Sequence, residues 1–220
     1  MNARPVASRD LQLALDGERL NAQLALPEQS CCLVVFVHGS GSGRLSPRNR
    51  QVAAQFNDLG MASLLFDLLS VAEQRLDNRT CELRFDIDLL TRRLLALLDW
   101  LADEPELRDL PIGLFGASTG AATALRGAAE RPSQVRAVVS RGGRTDLADA
   151  VLGEVRAAVL MIAGGADPFI VQANRESLRH LFGECALEIV PGATHLFEEP
   201  GALEQVARLA GDWFVRYLAG

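Results

Sequence analysis

Residues Ile112-Gly113-Leu114-Phe115-Gly116-Ala117-Ser118-Thr119-Gly120 constrain the fold more than any other stretch. An apolar run ends in Gly-x-Ser-x-Gly, and small residues at helical spacing follow at once (Ala121, Ala122, Ala124, Leu125, Ala128, Ala129). That order predicts a strand, a sharp turn and a helix, with the serine held in a strained backbone conformation and its hydroxyl exposed above a sheet. Gly116 and Gly120 carry no Cβ, so strand and helix can approach closely beneath Ser118. The helix would aim its free N–H groups and the positive end of its dipole toward the serine, where negative charge would develop. Small residues that merely close a strand–helix contact give the same pattern. Its meaning therefore depends on partners elsewhere in the chain.

The rest of the chain supplies a sheet for that turn. Leu11 to Leu15 and Leu20 to Leu26 alternate apolar and polar residues around Asp16-Gly17, which predicts a half-exposed antiparallel hairpin at a sheet edge. Leu33 to Val37 is continuously apolar, as in a strand buried on both faces, and runs into the Gly/Ser turn His38 to Gly43. A helix is predicted from Pro47 to Asp58 with Gly60 as its stop, then a strand from Ala62 to Leu68. Val71 to Cys81 is polar and reads as irregular, either a mobile loop over the site or a long connection. Phe85 to Ala102 has leucines at helical spacing. Strands are predicted at Val135 to Ser140, Ala157 to Ala163 and Leu187 to Val190, and helices at Asp146 to Val155, Ile170 to Phe182 and Ala202 to Leu218. After the hairpin, strand and helix alternate. This specifies an α/β fold: one mostly parallel central sheet, an antiparallel N-terminal hairpin and helices on both faces. The 220 residues suit one domain over 1–220.

Composition narrows the function classes. Net charge is −6 with no basic block, so nothing favours a nucleic-acid partner. The 22 basic residues are all arginine, a side chain suited to bidentate contacts with carboxylates and phosphates. No run approaches the ~20 apolar residues of a membrane span. Met1 to Asp10 is polar and lacks the apolar core of a signal peptide. Cys31, Cys32, Cys81 and Cys185 have no metal-ligand spacing; Cys31 and Cys185 open apolar runs and read as buried reduced thiols. These features predict a cytoplasmic protein without a metal.

A serine hydroxyl is a poor nucleophile at neutral pH and needs a base, and the base needs an anion to orient it. The chain has three histidines. His180 falls within a predicted helix, at the surface or in the core. His38 sits in the turn after a strand and reads as a brace for that turn. His195 follows the last strand on a Gly/Ala/Thr loop that would let the imidazole lean over the sheet edge. Asp167 follows a strand and precedes Pro168, a position that also suits a plain turn former. Ser118, Asp167 and His195 all lie just past strand carboxyl ends, where functional groups collect in such sheets. Their order is the nucleophile–acid–base order of the α/β-hydrolase fold. Thr119 would supply one oxyanion N–H and Ser40 the second. The Gly/Ser turn does not match either phosphate-binding glycine motif: no lysine exists, and Arg44 stands where a last glycine would be required.

The chain resembles the dienelactone-hydrolase-like branch of the α/β hydrolases. The resemblance rests on His38 to Asn49 (His-Gly-Ser-Gly-Ser-Gly-Arg-Leu-Ser-Pro-Arg-Asn), Phe66-Asp67-Leu68-Leu69, Gly116 to Gly120, Ser140 to Arg144, Gly164 to Asp167 and Pro191 to Phe197. It covers essentially the whole chain. Dienelactone hydrolases proper use a cysteine nucleophile where Ser118 stands here, so their lactone substrate is not carried over. Some relatives are joined to a phosphoribosyltransferase domain, for which this sequence has no matching segment.

The expectation is a serine hydrolase acting on a small-molecule carboxylic ester, lactone or thioester, with Ser118, Asp167 and His195 catalytic and no cofactor. Acyl transfer on the same triad and a non-catalytic binding protein of the same fold are the alternatives. Arg44, Arg141 and Arg144 are candidates for pairing with a substrate carboxylate; the competing reading has them held by local acids such as Asp67 and Asp146.

Overall fold

The computed structural model describes residues 6–219. The reading of Met1 to Asp10 thus lies partly outside the described residues.

A hairpin opens the chain: β1 (Ser8–Leu15) and β2 (Glu18–Ala25), joined by Asp16 and Gly17 at φ 48° and 78°. Positive φ at both turn residues is the geometry that suits the twist of a tight hairpin and explains Asp-Gly there. The chain continues through β3 (Leu33–Val37), α1 (Pro47–Asp58), β4 (Ala62–Phe66), α2 (Val71–Thr80), a short 3₁₀ turn (Leu83–Phe85), α3 (Ile87–Asp103) and β5 (Ile112–Ala117). It then forms α4 (Thr119–Glu130), β6 (Val135–Arg141), a 3₁₀ segment (Thr145–Glu154), β7 (Ala158–Gly164), α5 (Pro168–Leu178), β8 (Cys185–Val190) and α6 (Ala202–Leu218).

One eight-stranded sheet results, in the order β1-β2-β4-β3-β5-β6-β7-β8. β1 and β2 pair antiparallel and β2 pairs antiparallel with β4; every other pairing is parallel. Leucines of α3 pack with Leu114 and Leu125 on one face. On the other, α1 and α6 bring Phe56 and Phe214 against Phe36 and Phe115, with ring centroids 5.0 to 5.8 Å apart. The carboxyl ends of β3, β5, β6, β7 and β8 therefore lie along one edge, where the loops carrying the candidate residues meet.

The structure corrects several local expectations. Val71 to Cys81 is not irregular: it is α2, started by a reciprocal capping box between Ser70 and Glu73 and ended at Cys81 in the left-handed conformation. The helix buries only Asp77, so it leaves no apolar periodicity to read. Residues 146–155 are not α-helical but belong to a segment wound at three residues per turn, Thr145–Glu154, which buries Thr145, Ala148 and Leu152. α5 stops at Leu178, so His180 lies in an exposed turn beyond it rather than in a helix. Cys32 is the buried thiol; Cys31 and Cys81 are exposed and Cys185 is half-buried, because Cys31 precedes its strand and Cys185 sits in the edge strand β8. Among the described residues, no helix is long and apolar enough to cross a membrane.

Candidate active site

Ser118 occupies the turn between β5 and α4 at φ 50°, ψ −122°, a conformation rarely adopted by residues with a side chain. Three backbone bonds hold it there. Its N–H donates to the Arg141 carbonyl at 3.1 Å, and its own carbonyl accepts from Ala121 N–H at 3.1 Å and Arg144 N–H at 3.0 Å. A Cβ on Gly116 would stand 2.6 Å from Ala121 Cα, and one on Gly120 would collide with the Val37 carbonyl oxygen. The two glycines are thus required by the crossing of β3, β5 and α4 beneath the serine.

The loop after β8 brings His195 to the serine: Ser118 Oγ and His195 Nε2 are 3.1 Å apart. On the other side of the ring, His195 Nδ1 lies 2.7 Å from Asp167 Oδ2. Asp167 is also the N-cap of α5, its Oδ1 accepting the Ile170 N–H at 3.3 Å, with Pro168 opening the helix. One carboxylate thus both contacts the His195 imidazole and caps a helix. Gly142, at φ 55°, lets the chain pass under the histidine: a Cβ there would lie 3.1 Å from the His195 carbonyl oxygen.

Thr119 is the first residue of α4, so its N–H has no acceptor within the helix. The Ser40 N–H is engaged, donating to Thr119 Oγ1 at 2.9 Å. That bond ties the turn after β3 to the start of α4 across the mouth of the site. His38, buried behind it, accepts the Leu68 N–H at Nε2 (3.0 Å) and donates from Nδ1 to the Gly39 carbonyl (3.0 Å), bracing the turn as expected. Burial holds its pKa below the ordinary imidazole value, against the opposing pull of the Gly39 carbonyl and Asp67.

Ser118, His195, Asp167, Thr119 and Ser40 share a pocket of about 570 Å³ with Phe85, Phe169 and Ile170. Phe85 and Phe169 stand at the rim, 58% and 60% exposed. Sequence reading passed over both. Phe169 could have been found from its place two residues after Asp167, but Phe85 reaches the rim only through the tertiary placement of α2. A larger cleft of about 660 Å³, walled by α2 and the N-terminal end of α1, adjoins this pocket at Ser40 but does not include Ser118.

The candidate arginines part company. Arg44 pairs with Asp67 at 2.8 Å, and Arg144 forms a bidentate pair with Asp146 and lies over the Phe169 ring. These are the two acids that the structural reading of the sequence had named. Arg144 still lines the pocket, whereas Arg141 does not: its side chain is buried against α1 on the far side of the sheet edge. Among the described residues, no group of three or more His, Cys, Asp or Glu side chains is arranged to hold a metal.

Comparison with known proteins gives a consistent picture. The pattern of the dienelactone hydrolase family matches residues 20–216. A protein of Mycobacterium tuberculosis named "Putative phosphoribosyl transferase" is 50% identical over 216 residues, covering 98% of this chain and 48% of that protein. The chain thus spans about half the length of the curated relatives it matches. The crystal structure of a dienelactone hydrolase from Anabaena variabilis is similar with a TM-score of 0.96 and 47% identity, covering 98% of this chain and 100% of that one. Est1E from Butyrivibrio proteoclasticus shares the fold at a TM-score of 0.80 and 16% identity, covering 94% of this chain and 98% of its own.

Proposed function

The chain belongs to the dienelactone hydrolase family, and from that premise we propose that it is a serine hydrolase of the α/β-hydrolase fold that cleaves carboxylic esters through an acyl-enzyme. The observation that carries the reading is the unbroken relay from Ser118 Oγ to His195 Nε2 (3.1 Å) and from His195 Nδ1 to Asp167 Oδ2 (2.7 Å), set on a strained turn at a helix N-terminus.

The chemistry follows from the distances. His195 Nε2 takes the proton of Ser118 as Oγ forms its bond to the ester carbonyl carbon. Asp167 fixes the tautomer with the proton on Nδ1 and stabilises the imidazolium. The carbonyl oxygen becomes an oxyanion and accepts from the Thr119 N–H at the positive end of α4. Ser40 becomes the second donor once its N–H exchanges Thr119 Oγ1 for the oxyanion. When the tetrahedral species collapses, the proton passes from His195 to the departing alkoxide oxygen. The acyl group stays on Ser118 until water, deprotonated by the same imidazole, releases the acid. The His195 side chain is 39% exposed, so water has a direct approach to the acyl-enzyme. The aromatic rim of Phe85 and Phe169 suits an apolar portion of the substrate. We take the transferase name of the longer relatives to describe the part of them that this chain does not match.

Ser118→Ala should leave the fold intact and lower kcat for p-nitrophenyl esters by about 10⁴ to 10⁶. A fluorophosphonate probe should label the native chain and not the variant. Near-native hydrolysis by pure Ser118→Ala protein would remove the assignment, and a native chain that resists the probe would point to a binding protein instead.

A further inference from the structure

The only residue that α2 buries is Asp77, and its N-terminus is closed by the capping box of Ser70 and Glu73. Another stripe of the helix is Val71, Gln74, Arg75 and Asn78, which recur at helical spacing and wall the cleft of about 660 Å³. A stripe turned toward a core is apolar; this one is mostly polar because it faces a cleft instead. Gln74 Nε2 donates to Asn78 Oδ1 at 2.9 Å, so Gln74 Oε1 and Asn78 Nδ2 stay open to a ligand. The Asn21 amide and the Ser42 hydroxyl line the same cleft. Its charges are already met or stand in water. Arg44 holds Asp67 at 2.8 Å, Arg48 holds Glu198 at 2.7 Å, and Arg75 is exposed, where a charge on the ligand would gain little from it. The walls thus offer a ligand neutral donors and acceptors. An apolar chain laid there would strip water from them and return nothing, whereas a chain bearing oxygen atoms would take the water's place.

The cleft meets the catalytic pocket at Ser40, which lines both. This junction fixes which half of an ester goes where. His195 Nε2 must return its proton to the alkoxide oxygen, so the alcohol departs on the histidine's side of the carbonyl carbon. His195 lines the pocket that holds Phe85, Phe169 and Ile170 and does not line the cleft. The acyl carbon lies on the other side of the carbonyl carbon, and from there the way past Ser40 leads into the cleft.

We propose, on the esterase reading of Ser118, that the cleft walled by α2 is the acyl site and that it selects a neutral, oxygen-bearing acyl group. The apolar or aromatic half of the substrate is then its alcohol, held at the rim formed by Phe85 and Phe169. Gln74, Asn78, Asn21 and Ser42 are the specificity-determining residues of the acyl side.

Two matched pairs of esters test this, with acid release followed by pH-stat and each rate divided by that ester's hydroxide rate. In the acyl pair, p-nitrophenyl octanoate is set against p-nitrophenyl 4,7-dioxaoctanoate, in which two ether oxygens replace methylenes. The native chain should favour the dioxa ester by about five- to tenfold in kcat/KM. In the alcohol pair, octyl acetate should be favoured over 4,7-dioxaoctyl acetate, the opposite sign. The double variant Gln74→Leu, Asn78→Leu should bring the acyl ratio close to one and leave the alcohol ratio as it was; Ser42→Ala, away from α2, should lower the acyl ratio also. Ratios within one enzyme are unaffected by a general fall in activity. A native preference for the octanoate, or an ether preference on the alcohol side, overturns the proposal even if the double variant does not fold. So does an acyl ratio undiminished in a folded double variant. A native chain that hydrolyses none of the four esters and resists the fluorophosphonate probe removes the esterase reading and this one together, whereas hydrolysis with the wrong preference removes this one alone.

Discussion

Asp167 gives one carboxylate oxygen to each of two neighbours, Oδ2 to the imidazole of His195 and Oδ1 to the Ile170 N–H at the start of α5. The two contacts can be separated by one substitution. Asparagine caps a helix about as well as aspartate, but it cannot stabilise an imidazolium or enforce the same tautomer. Asp167→Asn should therefore unfold at nearly the same urea concentration as the native chain while kcat falls by about 10⁴. A variant that keeps more than about a tenth of native turnover would leave Asp167 as a helix cap alone. At this scale the sequence was informative where chemistry demands a residue type at a fixed chain position: Gly-x-Ser-x-Gly, the acid before Pro168 and the histidine after the last strand. It was silent on contacts made between distant segments. The bond from Ser40 N–H to Thr119 Oγ1 joins residues 79 apart, and nothing local to either announces it. Arg141 shows the same limit, since its place beside two glycines resembles that of Arg144 and only the packing of α1 sets them apart.

The elements most easily read were those whose burial leaves a periodic trace. α6 is found over the predicted Ala202–Leu218 because its buried positions recur at helical spacing, and β3 stands out as an unbroken apolar run. α2 escaped because its stability comes from capping and from one interior acid. Asp77 is fully buried, accepts the Leu83 and Arg84 N–H groups at 3.0 Å each and pairs with Arg84 Nε at 2.7 Å. Burial would raise its pKa, but these hydrogen bonds and the Arg84 charge outweigh that and hold it below the ordinary aspartate value. The clamp fixes the turn that presents Phe85 at the pocket rim. Asp77→Ala leaves the Arg84 guanidinium and two N–H groups without their partner, and should cost about 3 kcal/mol in urea unfolding. It should also raise KM for an aromatic ester more than it lowers kcat, as Phe85 loses its support. An unchanged unfolding midpoint would show that α2 is held by other contacts.

For the whole molecule, the parallel sheet concentrates its functional loops at one edge, and His38 stands where the turn after β3 meets the end of β4. It is neutral in the fold: Nε2 must be unprotonated to accept the Leu68 N–H, while Nδ1–H serves Gly39. Its folded pKa lies below the ordinary value, with burial the main cause and Asp67 pulling the other way. The sign for stability follows by linkage. An unfolded histidine takes up its proton near pH ~6.5, whereas the folded one resists until lower pH, so the unfolded chain binds more protons in between. The contribution is fully present above pH ~6.5 and is lost as the pH falls toward the folded pKa, by at most about 1.4 kcal/mol per pH unit. His38→Gln has no proton to take up there. The unfolding free energy of the native chain minus that of His38→Gln should therefore stay nearly level from pH 7.5 to about pH 6.5 and shrink from there to pH 5. His180 and His195 are present in both proteins and cancel in the difference. Urea unfolding of the two proteins at half-unit pH steps measures it, and a difference independent of pH would mean that His38 titrates alike in the folded and unfolded chains.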